Sequence, residues 1–154
     1  MSSLPAVEGF SSTTLVVLVS DVAGYARVFR TRSGAEVAAF LDRLYRASER
    51  TIAERGGRII KFMGDAVLAV FPPRDVRNAV AAAVTLEALV PRLAEELELA
   101  LEIGASIHMG SVVEAELGEG AGRRTDVIGR TVNQTFLMGR GPGIRISEPV
   151  YRKL

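Results

Sequence analysis

Gly56-Gly57-Arg58-Ile59-Ile60-Lys61-Phe62-Met63-Gly64-Asp65-Ala66-Val67-Leu68-Ala69-Val70-Phe71 reads as two strands, Arg58–Met63 and Ala66–Phe71, joined by the pair Gly64-Asp65. A two-residue loop with glycine first is what a type II′ hairpin turn requires, because its first position has a positive φ that glycine enters without steric cost. The turn holds Asp65 at the hairpin tip. Gly56-Gly57 stops the helix that comes before, as a glycine past the last helical turn does. Pro72-Pro73 ends the second strand.

Upstream of the hairpin, Ser33 to Arg55 has the period of an amphipathic helix. Ser33 is its N-cap and Glu36 stands at the capping-box spacing. Val37, Phe40, Leu41, Leu44, Tyr45 and Ile52 form its apolar face; Asp42, Arg43, Arg46, Glu49 and Arg50 cover the other. Before it, Leu15-Val16-Val17-Leu18-Val19 reads as a strand buried on both faces. That strand is expected to end at Ser20-Asp21, with Gly24 in the turn that follows. Residues 1–13 are polar and Ser-rich and read as a flexible leader or linker remnant, which leaves 14–154 as the folded domain.

Downstream, Asp75 is the expected cap of a second helix with the buried stripe Val76, Ala79, Val80, Ala83, Leu86, Leu89, Val90 and Leu93. Pro91 inside this stripe is expected to kink or shorten it. Ile103, Ala105, Ile107 and Met109 alternate with Glu102, Gly104, Ser106 and His108, as in a half-buried strand. Gly118 to Arg124 reads as a Gly-rich, charged loop. A short helix from Thr131 to Met138, a strand at Ile144 to Ile146 and a helical turn at Glu148 to Arg152 complete the chain. The order is an α+β, ferredoxin-like βαββαβ core with a C-terminal α/β extension. No internal repeat or heptad is visible.

Composition narrows the chemistry. With no cysteine and one histidine, the 154 residues offer no disulfide framework, thiolate site or multi-histidine metal cage. Lys and Arg number 19 against 18 Asp and Glu, so there is no bulk positive charge to hold a nucleic acid backbone. No apolar run, Leu15–Val19, Ala66–Phe71 and Ala79–Val84 included, comes near the length of a membrane span, and no signal peptide is visible. The expected setting is the cytoplasm.

The chemistry rests on two aspartates. In a split βαβ sheet the first strand is central and lies next to a strand of the hairpin, so Asp21 and Asp65 reach the same end of the sheet. Two carboxylates without His or Cys suit a hard cation such as Mg²⁺ or Mn²⁺. The turn Val22-Ala23-Gly24-Tyr25-Ala26 offers main-chain N–H groups beside them for phosphates. The residues alone reach as far as a metal–nucleotide site.

Here the sequence resembles a known family, the catalytic domain of the class III adenylate and guanylate cyclases. Ser20-Asp21-Val22-Ala23-Gly24-Tyr25 is similar to its first metal motif, and Gly56 to Asp65 to its second. Ile107-His108-Met109-Gly110 resembles its central strand and turn. Asp126-Val127-Ile128-Gly129-Arg130-Thr131-Val132-Asn133 resembles its nucleotide-binding segment. The resemblance implies that Asp21 and Asp65, with Val22, bind two Mg²⁺ or Mn²⁺ ions per site. Residues 22–25 would lie on the triphosphate, Lys61 and Asp126 would read the base, and Asn133 would orient the ribose. Lys and Asp at these positions favour ATP over GTP, because adenine accepts at N1 and donates from its 6-amino group. One chain carrying both residue sets implies a homodimer with two equivalent sites, able to serve an attached regulatory domain.

Two positions depart from the family. Its transition-state arginine, four residues after the asparagine, is Leu137 here, with Arg130 and Arg140 as the nearby substitutes. A phosphate-binding lysine expected near the C-terminus has only Lys153 to match it. The readings are therefore an adenylate cyclase of low activity or a cyclase-like nucleotide-binding and dimerisation module. A diguanylate cyclase is disfavoured, since its Gly-Gly-Asp/Glu-Glu-Phe hairpin is absent. His108 reads as a structural strand residue, Arg140 and Arg145 as surface or interface charges, and Phe40 and Tyr45 as core or dimer packing.

Overall fold

The apolar run Leu15–Val19 sits inside a longer strand, β1, which spans Ser12–Ala23 and carries Asp21 within it, not after it. The computed structural model describes residue 7 and residues 9–154. After β1 come a one-turn helix α1 (Tyr25–Val28), a 3₁₀ turn (Phe29–Thr31) and the long helix α2 (Gly34–Glu54). The hairpin follows as β2 (Arg58–Met63) and β3 (Ala66–Phe71), with the bounds expected from the sequence. Helix α3 (Val76–Glu95) leads to β4 (Glu102–Leu117), β5 (Arg124–Ile128), α4 (Arg130–Phe136), β6 (Gly143–Ile146) and α5 (Glu148–Tyr151).

Helix α2 is closed at both ends by its own residues. The Ser33 hydroxyl accepts from the Glu36 N–H at 3.1 Å, and the Ser33 N–H donates to the Glu36 carboxylate at 3.4 Å. At the other end Gly56 adopts φ +84°, and the N–H of Gly57 donates to the Ile52 carbonyl at 2.9 Å. This is the Schellman arrangement that a glycine past the last turn permits.

The sheet order is β2-β3-β1-β4-β5, with every neighbouring pair antiparallel, while β6 runs parallel to β4 beside Gly104–Ile107. The four strands of the βαββαβ core thus stand as β2-β3-β1-β4, the ferredoxin-like order. Alternation along β1 sends Val16 and Leu18 into the core with α3, and Val17 and Val19 to the opposite face with Leu68, Val70, Val112, Val127 and Val132. On that second face the sheet curls. In a flat sheet β2 and β5 would stand about 19 Å apart, at the usual strand spacing. Instead Arg58 reaches Glu114 of β4 at 2.5 Å and Lys61 reaches Asp126 of β5 at 2.9 Å.

Several expectations are corrected. Of the expected leader, residues 1–6 and 8 lie outside the described residues, whereas Ser12 and Thr13 already pair with β4. β4 is not half-buried at its start: Ile103 to Ile107 are buried on both sides. Ile103, Ala105 and Ile107 face the helices, and the small residues Gly104 and Ser106 are covered by Gly141 and Arg145. Asp75 stands at the start of α3 without bonding a helix N–H; it accepts instead from the Asn78 amide at 3.3 Å. Pro91 does not end α3, which continues to Glu95. Asp126, in a stretch between the Gly-rich loop and the helix from Thr131 to which the sequence assigned no element, is on the strand β5. Among the described residues no helix is long and apolar enough to cross a membrane.

The junction between α2 and the hairpin tolerates no added atom. A Cβ at Gly57 would stand 2.5 Å from the Phe71 ring, which is fully buried. Gly57→Ala is expected to destabilise the domain by about 1–3 kcal/mol through overpacking, read as a lower denaturation midpoint with an unchanged denaturant slope.

Candidate active site

Asp21 faces Gly104 across the β1–β4 ladder, two residues before the end of β1. Asp65 is carried to the same place by the hairpin tip. Gly64 has φ +60° and Asp65 does not share the positive value, as the type II′ turn requires. The tip is tied down twice. One Asp65 carboxylate oxygen accepts from the Val22 N–H at 2.9 Å, and the Tyr45 hydroxyl donates to the Gly64 carbonyl at 2.5 Å. Tyr45 also stacks on Phe62, with ring centroids 3.8 Å apart and planes inclined by 13°. Tyr45 is thus a positioning residue for Asp65, a role that the helical period of α2 could not distinguish from packing.

The meeting of two carboxylates has an electrostatic cost. The Asp21 carboxyl is raised above its usual value by burial and then by the charge of Asp65, while Arg145 and Arg140 pull it the other way. The Tyr25 hydroxyl is also raised, by burial and by Asp65. Asp21, Asp65, Tyr25, Arg27 and Arg140 line one open cleft of about 680 Å³. Of the turn 22–26, the Val22 N–H is already committed to Asp65 and its side chain is in the core. Ala23, Gly24, Tyr25 and Ala26 remain on the cleft wall, with Gly24 at φ +82° opening the turn into α1.

Lys61, Asp126 and Asn133 gather elsewhere. Lys61 and Asn133 line a second groove of about 510 Å³ that shares no residue with the aspartate cleft. Lys61 is aimed there by a bulge. The β2–β3 register slips between Ile59 and Lys61, so Ile60 and Lys61 both point to the face of Leu68. Met63 follows Lys61 into the groove, and Phe62 turns back to Tyr45. Asp126 bonds Lys61 with one oxygen and accepts from the Val127 N–H at 2.8 Å with the other. Asn133 is exposed on α4, whose N-cap is Gly129. Met63, Ile128 and Phe136 on the groove wall are exposed apolar residues, and Leu137 beside them is 83% exposed.

The arginines of the 139–146 segment do more than the sequence reading allowed. Arg145 donates to Ser106 Oγ and to the Gly141 carbonyl, each at 3.1 Å, and so pins the segment over β4 beside Asp21. Arg140 lines the aspartate cleft, whereas Arg130 lines the other groove. Isolated arginines in a Gly-Pro-Gly stretch carry no periodic signal that would have shown this. His108 is bonded on both ring nitrogens, to Ser147 at 2.7 Å and Gln134 at 3.1 Å, and ties β4 to α4 and to the start of α5.

The family model described as the adenylate and guanylate cyclase catalytic domain matches residues 8–154. An adenylate cyclase of Anabaena cylindrica is 27% identical over 94% of this chain and 31% of its own length. An uncharacterised protein of Mycobacterium tuberculosis is 33% identical over 84% of this chain and 23% of its own length. The chain therefore spans a third or less of these curated relatives. Among solved structures, the guanylyl cyclase Cya2 superposes with a TM-score of 0.85 at 27% identity, covering 94% of this chain and 79% of that one. The curled antiparallel sheet, the hairpin bearing Asp65 and the sequence match thus agree: the chain belongs to the family of adenylate and guanylate cyclase catalytic domains.

Proposed function

We propose that the domain converts ATP to cyclic AMP and pyrophosphate at sites shared between two copies of the chain. The observation that carries this reading is the division of the functional residues between two hollows that share no lining residue. Neither hollow holds a complete set. A two-fold pair that faces the aspartate cleft of one copy with the Lys61–Asn133 groove of the other completes both sites at once. The exposed apolar wall of that groove is the surface such a pairing would cover.

The cleft fits a hard divalent cation. Its ligating side chains are carboxylates, and the mutual repulsion of Asp21 and Asp65 is what a cation would relieve. Two carboxylates supply part of a divalent ion's coordination, and substrate oxygens and water would complete it. Asp21 and Asp65 would hold Mg²⁺ or Mn²⁺, two ions per site, with the main-chain oxygen of Val22 as a further donor. Bound there, the ions would lower the pKa of the ribose 3′-hydroxyl and offset charge on the triphosphate. The Val22–Asp65 and Tyr45–Gly64 bonds keep the second carboxylate in place before substrate arrives.

In the other groove, the Lys61 ammonium would donate to adenine N1 and the Asp126 carboxylate would accept from the 6-amino group. Their ion pair fixes the spacing of donor and acceptor, and guanine presents the opposite pattern. Asn133, exposed on α4, would orient the ribose. Residues outside this domain, in a protein as long as its relatives, would supply regulation.

The test is cyclic AMP formation from ATP with Mn²⁺ and then Mg²⁺. Asp65→Ala is expected to lower the rate to background while the domain stays folded and dimeric. A folded wild-type dimer that binds ATP and yields no cyclic AMP would overturn the catalytic reading. It would leave a nucleotide-binding, dimerising module, the alternative that Leu137 favours. Leu137 places an exposed hydrocarbon where the family has a phosphate-stabilising cation, so turnover should be slow. Leu137→Arg is expected to raise kcat roughly tenfold or more, by the worth of such cations elsewhere.

The electrostatics give a second check that needs no turnover. A raised Asp21 pKa means that its contribution to stability is full below the ordinary value of 3.8 and is lost as the pH rises through the raised one. Asp21→Asn is therefore expected to raise the thermal midpoint near neutral pH, with the gain shrinking as the pH falls towards 3.8. Added Mn²⁺ should stabilise the wild type more than this variant.

A further inference from the structure

We infer that Arg140 is the phosphate-binding cation of the aspartate cleft, supplied by the same chain as Asp21 and Asp65. The inference rests on the proposed nucleotide chemistry and assigns a residue that this chemistry leaves open. A triphosphate brings further negative charge to a cleft that already holds two carboxylates, and a guanidinium on the wall binds phosphate oxygens in a bidentate fork.

Three observations single out Arg140. It lines the cleft with Asp21 and Asp65, whereas Arg130 lines the separate groove and Leu137 carries no charge. Its backbone is pinned: Arg145 bonds the Gly141 carbonyl at 3.1 Å and approaches the Arg140 carbonyl at 3.5 Å, and is itself held by Ser106. The Gly141 carbonyl rests on β4 so closely that a Cβ at Gly104 would stand 2.3 Å from it. Finally, the Arg140 side chain is exposed and makes no ion pair or hydrogen bond among the described residues. Arg145 spends its guanidinium on the protein, and Arg140 has its own to give to a ligand.

The geometry also says which copy contributes. If the complete site combines the cleft of one chain with the groove of the other, Arg140 acts with the aspartates of its own chain.

Two experiments test this. In the first, inorganic tripolyphosphate is titrated into the protein with and without Mn²⁺. Arg140→Ala is expected to weaken binding roughly tenfold, Arg140→Lys to retain part of it, and Arg50→Ala, on the far face of α2, to match the wild type. Equal affinity of wild type and a folded Arg140→Ala, or no binding by wild type, would overturn the assignment. The second experiment mixes variants at a substrate concentration where each alone is far less active than the wild type. Arg140→Ala with Asn133→Ala should recover ~a quarter of the wild-type rate, since half the dimers are mixed and each has one whole site. Arg140→Ala with Asp65→Ala should recover nothing, and recovery there would place Arg140 across the interface and overturn the inference. Asp65→Ala with Asn133→Ala probes the shared site alone. Its failure would strike the proposed function, whatever Arg140 does to tripolyphosphate affinity.

Discussion

The antiparallel ladder between β1 and β4 is the constraint on which the rest of the molecule depends. It runs without interruption from Ser12 opposite Val113 to Ala23 opposite Glu102. Every other strand except β2 hangs from one of these two: β3 on the free edge of β1, β5 and β6 on successive halves of the far edge of β4. Near its end the ladder places the half-buried Asp21 between the buried Ser20 and Val22 and sets it opposite a residue with no side chain. Gly104 leaves the room that the carboxylate and the Gly141 carbonyl occupy together. A larger residue there would push apart the parts that form the cleft.

A second constraint is that like charges are held together by neutral groups. Asp65 stays near Asp21 through the hairpin turn, the Val22 N–H and the Tyr45 hydroxyl, all neutral groups. The stability of the surrounding core, with Phe40, Leu44, Leu18 and Phe71 fully buried, allows such a local cost. Repulsion held in this way is a form of preorganisation, because a proton or a cation placed between the two carboxylates relieves it.

What the sequence made legible was whatever has a local cause. The hairpin followed from a glycine at a turn, α2 from its capping box and its glycine stop, and the convergence of Asp21 with Asp65 from the strand order of the βαββαβ core. What stayed hidden has a tertiary cause. Gly104 and Ser106 looked like the wet side of a strand because they are small and polar, yet they are covered by a loop from the far end of the chain. β5 is five residues long beside a run of glycines, too short for its alternation to show. Arg140 and Arg145 have no period at all; their nearness to Asp21 exists only once β6 has docked beside β4.

The bulge at Ile60 makes the character of the groove depend on register as well as on residue identity. Faces alternate along a strand, so if Ile60 were taken into the ladder as an ordinary paired residue, Lys61 and Met63 would turn towards the helices and Phe62 would come out into the groove. Losing Ile60 outright would instead leave Lys61 opposite Leu68 and the faces as they are. The direction of Lys61 is thus set by where the extra residue sits, and not by its own side chain.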